Sequence, residues 1–484
     1  MTNPTSSGIP QESLSLISPG WKHLPGPKGL PLLGNFLQLD MHRLHTILEQ
    51  WAELYGPVYR IRLGPRPVVV VSESSLINEI LRDRPEGFRR VSAIEKVQNE
   101  LGVGGLFSAE GEKWRRQRQM VNQALNTQHL RPFFPTLVRI TEKLMKRLER
   151  YADSTDAVAV QDDLKRFTVD ITTNLAFGYD VNTLETDTDV IQKHLEKFFP
   201  MISRRVNAPF PYWRYFRLPV DRALEKALDE ILKAIAGFVE HARARIAENP
   251  DLELNPSNLL EAMLVARDET RYRFSDREIT GNVLTMLLGG EDTTANTLAW
   301  MIYFMGEYPE IQQSMQLECD QVLGEKPLLS DYQDQEGLKF IEAVAFETMR
   351  LKSVAPLLFM ECNQDQKLGS LDLPKGMTLF LLMRHCGMQS SSFSNPEQFR
   401  PERWLRGKEA SNCAHNTSAY LPFGAGPRFC PGRNLAMLEI KSAMAMMCQN
   451  FTFSLNPDSP EVEEEFAFVM TPRNLSLRIR RRQR

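Results

Sequence analysis

Phe423-Gly424-Ala425-Gly426-Pro427-Arg428-Phe429-Cys430-Pro431-Gly432 is the stretch on which the reading of this chain turns. Five of its ten residues are Gly or Pro, so it is a loop, and the apolar run from Gly432 to Gln449 behind it reads as a helix. Cys430 therefore sits at the helix's N-terminal end. Unpaired amide N–H groups and the positive end of the helix dipole stabilise a thiolate there. The glycines let the backbone approach a flat ligand closely. A cysteine taken alone is most often a small buried hydrophobe, so its neighbours must decide.

A second decisive stretch lies upstream. Ser275-Asp276-Arg277-Glu278 has the spacing of a capping box, and the pattern stays helical to Gly306 and Pro309. That implies one helix of roughly thirty residues, about 45 Å long, crossing the whole domain. Inside it lies Gly289-Gly290-Glu291-Asp292-Thr293-Thr294. Each glycine in a helix interior costs about 1 kcal/mol against alanine. The plain account is a kink in a buried helix, with Thr293 bonding back to the preceding turn's carbonyl. Further on, Glu347-Thr348-Met349-Arg350 sets an acid and an arginine three apart on one helix face, which elsewhere is a weak surface pair. Trp114-Arg115-Arg116-Gln117-Arg118 likewise puts Trp114 and Arg118 on one face.

Around these motifs the 484 residues are ordinary for a globular protein: 42% hydrophobic, 25% charged, 58 basic against 61 acidic side chains, net −3. Disorder of the whole chain is excluded, and near-neutral balance argues against a nucleic-acid binder. Cys319, Cys362, Cys386, Cys413, Cys430 and Cys448 form no CxxC pair or regular framework, as in a reducing cytosol. Residues 1–20 read as a flexible polar tail without signal peptide or membrane anchor. Val58 to Leu63 and Val68 to Ser72 flank Gly64-Pro65-Arg66-Pro67 as a hairpin, Leu371 to Leu382 is extended, and Leu475 to Ile479 closes the chain as a strand. Between Glu110 and Phe304 the pattern is helical, punctuated at Pro132, Pro200, Pro209-Phe210-Pro211 and Pro250, with no internal repeat. The expectation is a mainly α fold with small β-sheets, one domain over residues 21–484. The basic run Arg478 to Arg484 reads as a solvated tail.

The Cys430 segment matches Phe-x-x-Gly-x-Arg-x-Cys-x-Gly, and in this the chain resembles the cytochrome P450 family. Uniform-composition counting puts such a match on the order of once in several thousand chains of this length. The resemblance runs from residue 21 to 484 through four motifs in order, and it implies haem b held between the long central helix and the Cys430 loop and helix. By that resemblance Cys430 is the axial ligand of the iron; a thiolate there favours O–O cleavage, the case for which this family is cited. Phe423, Gly432, Gly289 and Gly290 would border the cofactor, with Trp114, Arg118 and Arg428 at its propionates. Thr293 would hydrogen-bond dioxygen and Asp292 would relay protons from solvent. Glu347, Arg350 and Arg403, the last from Phe399-Arg400-Pro401-Glu402-Arg403-Trp404, would form a buried structural triad.

The resemblance also implies a substrate pocket lined by Val283, Leu284, Met286 and Leu287, by Val354, Ala355, Leu357, Leu358 and Phe359, and by Phe466, Phe468, Val469 and Met470. Each is individually explained as core packing; together they suggest a lipophilic substrate. Arg90, Glu95 and Lys96 leave room for a polar group on it. The expected partners are dioxygen, that substrate, and a separate ferredoxin or flavodoxin with its NAD(P)H reductase. No flavin or ferredoxin domain follows Cys430, and a monomeric, cytoplasmic, bacterial enzyme is expected. Lys113, Arg115 and Arg116 suit either a docking surface for an acidic redox partner or a merely solvated face. The chain departs from the family's pattern twice: where many members carry a propionate-binding arginine after the Glu-x-x-Arg helix, Met360 stands here, and Gly387-Met388-Gln389 replaces a His-Arg-Asp, leaving His385 structural. The rival readings are a peroxide-dependent peroxygenase or hydroperoxide-rearranging relative, and a non-enzymatic haem sensor or electron carrier.

Overall fold

The computed structural model describes residues 20–154, 156–186, 198, 201–202, 204–206, 208, 210–266, 274–405 and 415–483. Expectations for residues 1–19, Pro200, Pro209, Cys413 and Arg484 lie outside the described residues.

The helices are α1 (Leu44–Tyr55), α2 (Ser74–Arg82), α3 (Ser92–Glu100), α4 (Gly111–Ala124), α5 (Thr127–Ala152), α6 (Gln161–Phe177), α7 (Pro219–Glu248), α8 (Asp251–Leu254) and α9 (Leu259–Val265). They continue with α10 (Asp276–Glu307), α11 (Pro309–Leu323), α12 (Lys339–Leu351), α13 (Met383–Gly387) and α14 (Arg433–Asn450). The main sheet is ordered β1 (Val58–Leu63), β2 (Arg66–Val71), β7 (Thr378–Leu382), β4 (Leu357–Cys362), β3 (Phe88–Arg90). Small two-stranded ladders join β5 (Gln366–Leu368) to β6 (Leu371–Leu373), β8 (Phe451–Leu455) to β11 (Leu477–Arg481), and β9 (Glu463–Phe466) to β10 (Met470–Arg473). The mainly α expectation holds. The hairpin turn is tighter than expected: Gly64, at φ +60°, and Pro65 suffice, and Arg66 and Pro67 already pair with Leu63 and Arg62. The closing strand lies two residues later than expected, paired with Phe451–Leu455.

α10 is the axis of the helical layer. Ser275 caps it through the anticipated capping box, its hydroxyl accepting from the Glu278 N–H while the Glu278 carboxylate accepts from the Ser275 N–H at 3.0 Å. It runs 32 residues without interruption until Tyr308 and Pro309, so the glycine pair does not break it. α6 packs along it so closely that the Thr168 hydroxyl donates to the Glu291 carbonyl at 3.0 Å. Gly290 makes that approach feasible, because a Cβ there would lie 2.3 Å from Thr172 Oγ1. Val283, Leu284, Leu287, Leu298 and Ile302 of α10 share one large core with α6, α12 and α14.

Candidate active site

The Cys430 loop is folded onto two neighbours. The Cys430 N–H donates to the Phe423 carbonyl at 2.9 Å, closing the loop on itself. Gly426, at φ +68°, lies against α2, where a Cβ would come within 2.3 Å of the Leu81 carbonyl oxygen. Gly432 is the N-cap of α14, and its N–H and that of Arg433 point at the Cys430 sulfur. Burial pushes the Cys430 thiol up; those two N–H groups and the Arg118 charge pull it down without cancelling the burial. The helix end therefore acts on the sulfur as expected, in opposition to its burial.

α4 faces this loop. Trp114 is buried, and Arg118 Nη2 donates to the Phe429 carbonyl at 2.5 Å. Arg428 stacks its guanidinium 4.5 Å from the Trp114 ring centre and donates to the Ala109 carbonyl (2.7 Å) and to Glu110 Oε2 (2.5 Å). Trp114, Arg118, Arg428, Phe423, Gly432 and Cys430 are thus brought to one region. Arg84, Arg90 and Glu110, which no motif singled out, join it.

The middle of α10 carries an accessible strip on an otherwise buried helix. Gly289 is exposed, with nothing within 4 Å of where a Cβ would be, and Thr285, Met286, Asp292 and Thr293 are half-buried beside it. Two sequence assignments are corrected by the helix phase. Val283, Leu284 and Leu287 point into the packed core, at 0–1% exposure, and the open strip is carried by Thr285, Met286 and Gly289. Gly290 faces away from the open strip, towards Thr172 of α6, where it allows close packing of the two helices. Of the remaining lining candidates, Ala355, Leu358, Phe359 and Phe468 are half-buried, while Leu357 and Val469 are buried. Phe468 lies 5.7 Å from Phe107, a residue that no motif marks.

Thr293 Oγ1 donates to the Gly289 carbonyl at 2.8 Å, the back-bond that the plain account of this helix anticipated. Asp292 pairs with Lys165 of α6 at 3.8 Å. Behind the site, Glu347 accepts from Arg350 (2.7 and 2.9 Å), Arg403 (3.0 Å), the Arg400 N–H (2.9 Å) and Trp404 Nε1 (2.9 Å). Arg350 also donates to the carbonyls of Gly387, Pro396 and Gln398. The triad is fully buried, and Trp404 is a fourth member that spacing alone could not reveal. His385 contacts Gln389 and Glu53, away from these groups.

A flat, dianionic, metal-centred group fits these residues. Cys430 is a partly exposed residue at a helix N-terminus, Gly289 opens the wall of α10, and guanidiniums outnumber carboxylates around Glu110. A helical fold with such a cysteine loop is that of a haem-thiolate oxidoreductase. The cytochrome P450 family model matches residues 24–479, and the chain belongs to that family of haem-iron monooxygenases. Among its relatives are protein LUTEIN DEFICIENT 5, chloroplastic, of Arabidopsis thaliana (27% identical, covering 88% of this chain and 72% of the relative) and Cytochrome P450 27C1 of Danio rerio (28%, 93% and 85%). Human Cytochrome P450 3A5 is 26% identical over 89% of this chain and 85% of its own length. Among the described residues no helix is long and apolar enough to cross a membrane.

Proposed function

We propose that this monooxygenase inserts one atom of dioxygen into a lipophilic substrate, by hydroxylation or epoxidation, at a haem b held by Cys430. R–H, dioxygen, two electrons and two protons give R–OH and water. The observation that carries this reading is the accessible strip on α10 with Thr293 on it and Asp292 at its edge. A single haem-centred domain over residues 21–484 accommodates it.

When bound, haem supplies the electron-rich iron at which dioxygen is activated. The chain supplies the rest. Cys430 gives the thiolate, which the Gly432 and Arg433 N–H groups moderate by donating to the sulfur. The Thr293 hydroxyl, resting on the Gly289 carbonyl, is placed to turn and donate into the cavity. Asp292 and Lys165 are each partly open to solvent, so the acid can take up a proton outside and hand it towards Thr293. Met286, Leu358, Phe359, Phe107 and Phe468 favour an apolar substrate and limit water near the reacting carbon. The acid and threonine weigh against the peroxygenase and rearranging alternatives, which consume no protons from solvent, and the apolar lining weighs against a sensor.

A separate ferredoxin or flavodoxin with an NAD(P)H reductase would supply the electrons to a monomeric, cytoplasmic enzyme. Arg115 pairs with Glu86 and Glu112, Arg116 with Glu112, and Lys113 with Glu278, which favours the solvated face over a basic docking patch at that point.

The test is spectroscopic. The reduced, carbon-monoxide-bound protein should show the strongly red-shifted Soret band of thiolate ligation, and Cys430→Ala should abolish it; a retained band would remove Cys430 as ligand. Thr293→Ala should leave that band intact while uncoupling NAD(P)H consumption from product and raising peroxide release. Unchanged coupling would remove Thr293 from the proton path.

A further inference from the structure

Strands β3 and β4 pair antiparallel with Phe88 opposite Cys362, Arg89 opposite Glu361 and Arg90 opposite Met360. Directly opposed residues of an antiparallel pair put their side chains on the same face. Arg90 therefore stands beside the very position, Met360, where an arginine is missing from this chain. Its guanidinium lies 3.7 Å from the Phe107 ring centre, its backbone N–H donates to Glu110 Oε1 at 3.3 Å, and its buried Nε has no hydrogen-bond partner.

Two further guanidiniums converge on the same carboxylate. Arg84 is buried, 4.0 Å from Glu110 Oε1, and its Nε and Nη2 make no hydrogen bond. Arg428 donates to Glu110 Oε2, yet its Nε is also unpartnered. Three arginines around one glutamate, with Arg118 and the Arg89–Glu95 pair nearby, leave an excess of positive charge largely withdrawn from water. Burial pushes all three below the usual guanidinium range, with repulsion from Arg90 and Arg428 at Arg84, from Arg428 at Arg90, and from Arg89 and Arg118 at Arg428. Such a surplus is stable only when anions complete it.

We infer that Arg84, Arg90 and Arg428 form a cradle for two carboxylates, the propionates of the haem, with Arg90 on β3 standing in for the arginine that β4 lacks. The unpartnered nitrogens can only donate, so they select a ligand rich in acceptor oxygens, as two carboxylates are. The inference rests on the haem-thiolate reading above. A carboxylate on the substrate has the same chemistry, and Phe107, which carries the Arg90 contact, also touches Phe468; the experiment separates the two sources.

The haem-loaded full chain and its Arg90→Met, Arg90→Lys and Arg84→Met variants are mixed with excess apomyoglobin, and the rate of haem transfer is followed. Arg90→Met and Arg84→Met should lose haem at least tenfold faster than the parent, with Arg90→Lys between. The thermal midpoint of the cofactor-free chain should rise in Arg90→Met, because an uncompensated charge has gone. A merely structural arginine predicts the opposite, a fall with and without haem, and that result overturns the proposal. Transfer within twofold of the parent also overturns it. If transfer is unchanged while dodecanoate binding, read by the spectral shift, weakens tenfold and dodecanol binding does not, the cradle serves a substrate carboxylate and the propionate assignment fails. The red-shifted carbon-monoxide band in every variant keeps these outcomes apart from failure of the haem-thiolate reading. Should Arg84→Met not accumulate, Arg90→Met decides alone.

Discussion

Two groups of buried arginines lie in this molecule, and they have been solved in opposite ways. Around Glu347, Arg350 and Arg403 spend their donors on carboxylate oxygens and on the carbonyls of Gly387, Ser394, Pro396 and Gln398, with Trp404 bonding the same acid. Around Glu110, Arg84, Arg90 and Arg428 keep unpartnered nitrogens. The first cluster is finished by the chain itself and fixes the segment that leads to the Cys430 loop. The second is left for a ligand to finish. Buried charge that is satisfied locally marks structure, and buried charge that is not marks a binding site.

The largest effect that would sharpen this contrast is at the finished cluster. Glu347→Gln removes the carboxylate that Arg350 and Arg403 share and leaves two buried cations, a loss of about 3–5 kcal/mol. Urea unfolding should show it, together with poor haem incorporation on expression. A change under about 1 kcal/mol would mean that the backbone carbonyls alone suffice and would break the comparison, since the two clusters would then differ only in degree. The variants of Arg90 and Arg84 give the converse sign in the cofactor-free chain.

A second effect comes from a buried acid with no ion pair among the described residues. Glu439 of α14 is 1% exposed and bonded to Thr294 of α10, and burial pushes its carboxyl up to about 8. The folded chain thus holds a proton that the unfolded chain releases near pH 4.5, so stability falls as pH rises from about 4.5 to about 8. Glu439→Gln should remove that fall, matching the parent near pH 4 and exceeding it by up to about 4 kcal/mol at pH 8. Parallel pH curves for the two proteins would show that Glu439 is ionised in the folded state.

The comparison also shows what sequence could and could not carry. The Cys430 loop, the capped helix from Asp276 and the Glu347–Arg350 pair are legible because their partners are local or their spacing is peculiar. Arg90 reads from sequence only as room for a polar group on the substrate until β3 is laid against β4, two strands some 270 residues apart in the chain. The neighbouring glycines look alike in sequence, yet Gly289 faces open space and Gly290 faces Thr172, a distinction set by which helix packs on which side. The resemblance places Val283, Leu284 and Leu287 in a lining segment, but only the helix phase says which of its residues turn inward. Trp404 follows the Pro-Glu-Arg segment directly, and its reach to Glu347 depends on the tight turn at Pro401–Trp404.

The sheet order has a consequence for how the chain is made. β2 pairs in parallel with β7, so the hairpin Val58–Val71 acquires its second neighbour only after Leu382 has been synthesised. Translation at about 5–20 residues per second leaves that valine-rich edge unpaired for roughly 15–60 s while some 300 residues follow. A nascent chain released early would expose Val68 to Val71 as a template for wrong partners, so whatever shields that one short strand during those seconds protects the chain from mispairing.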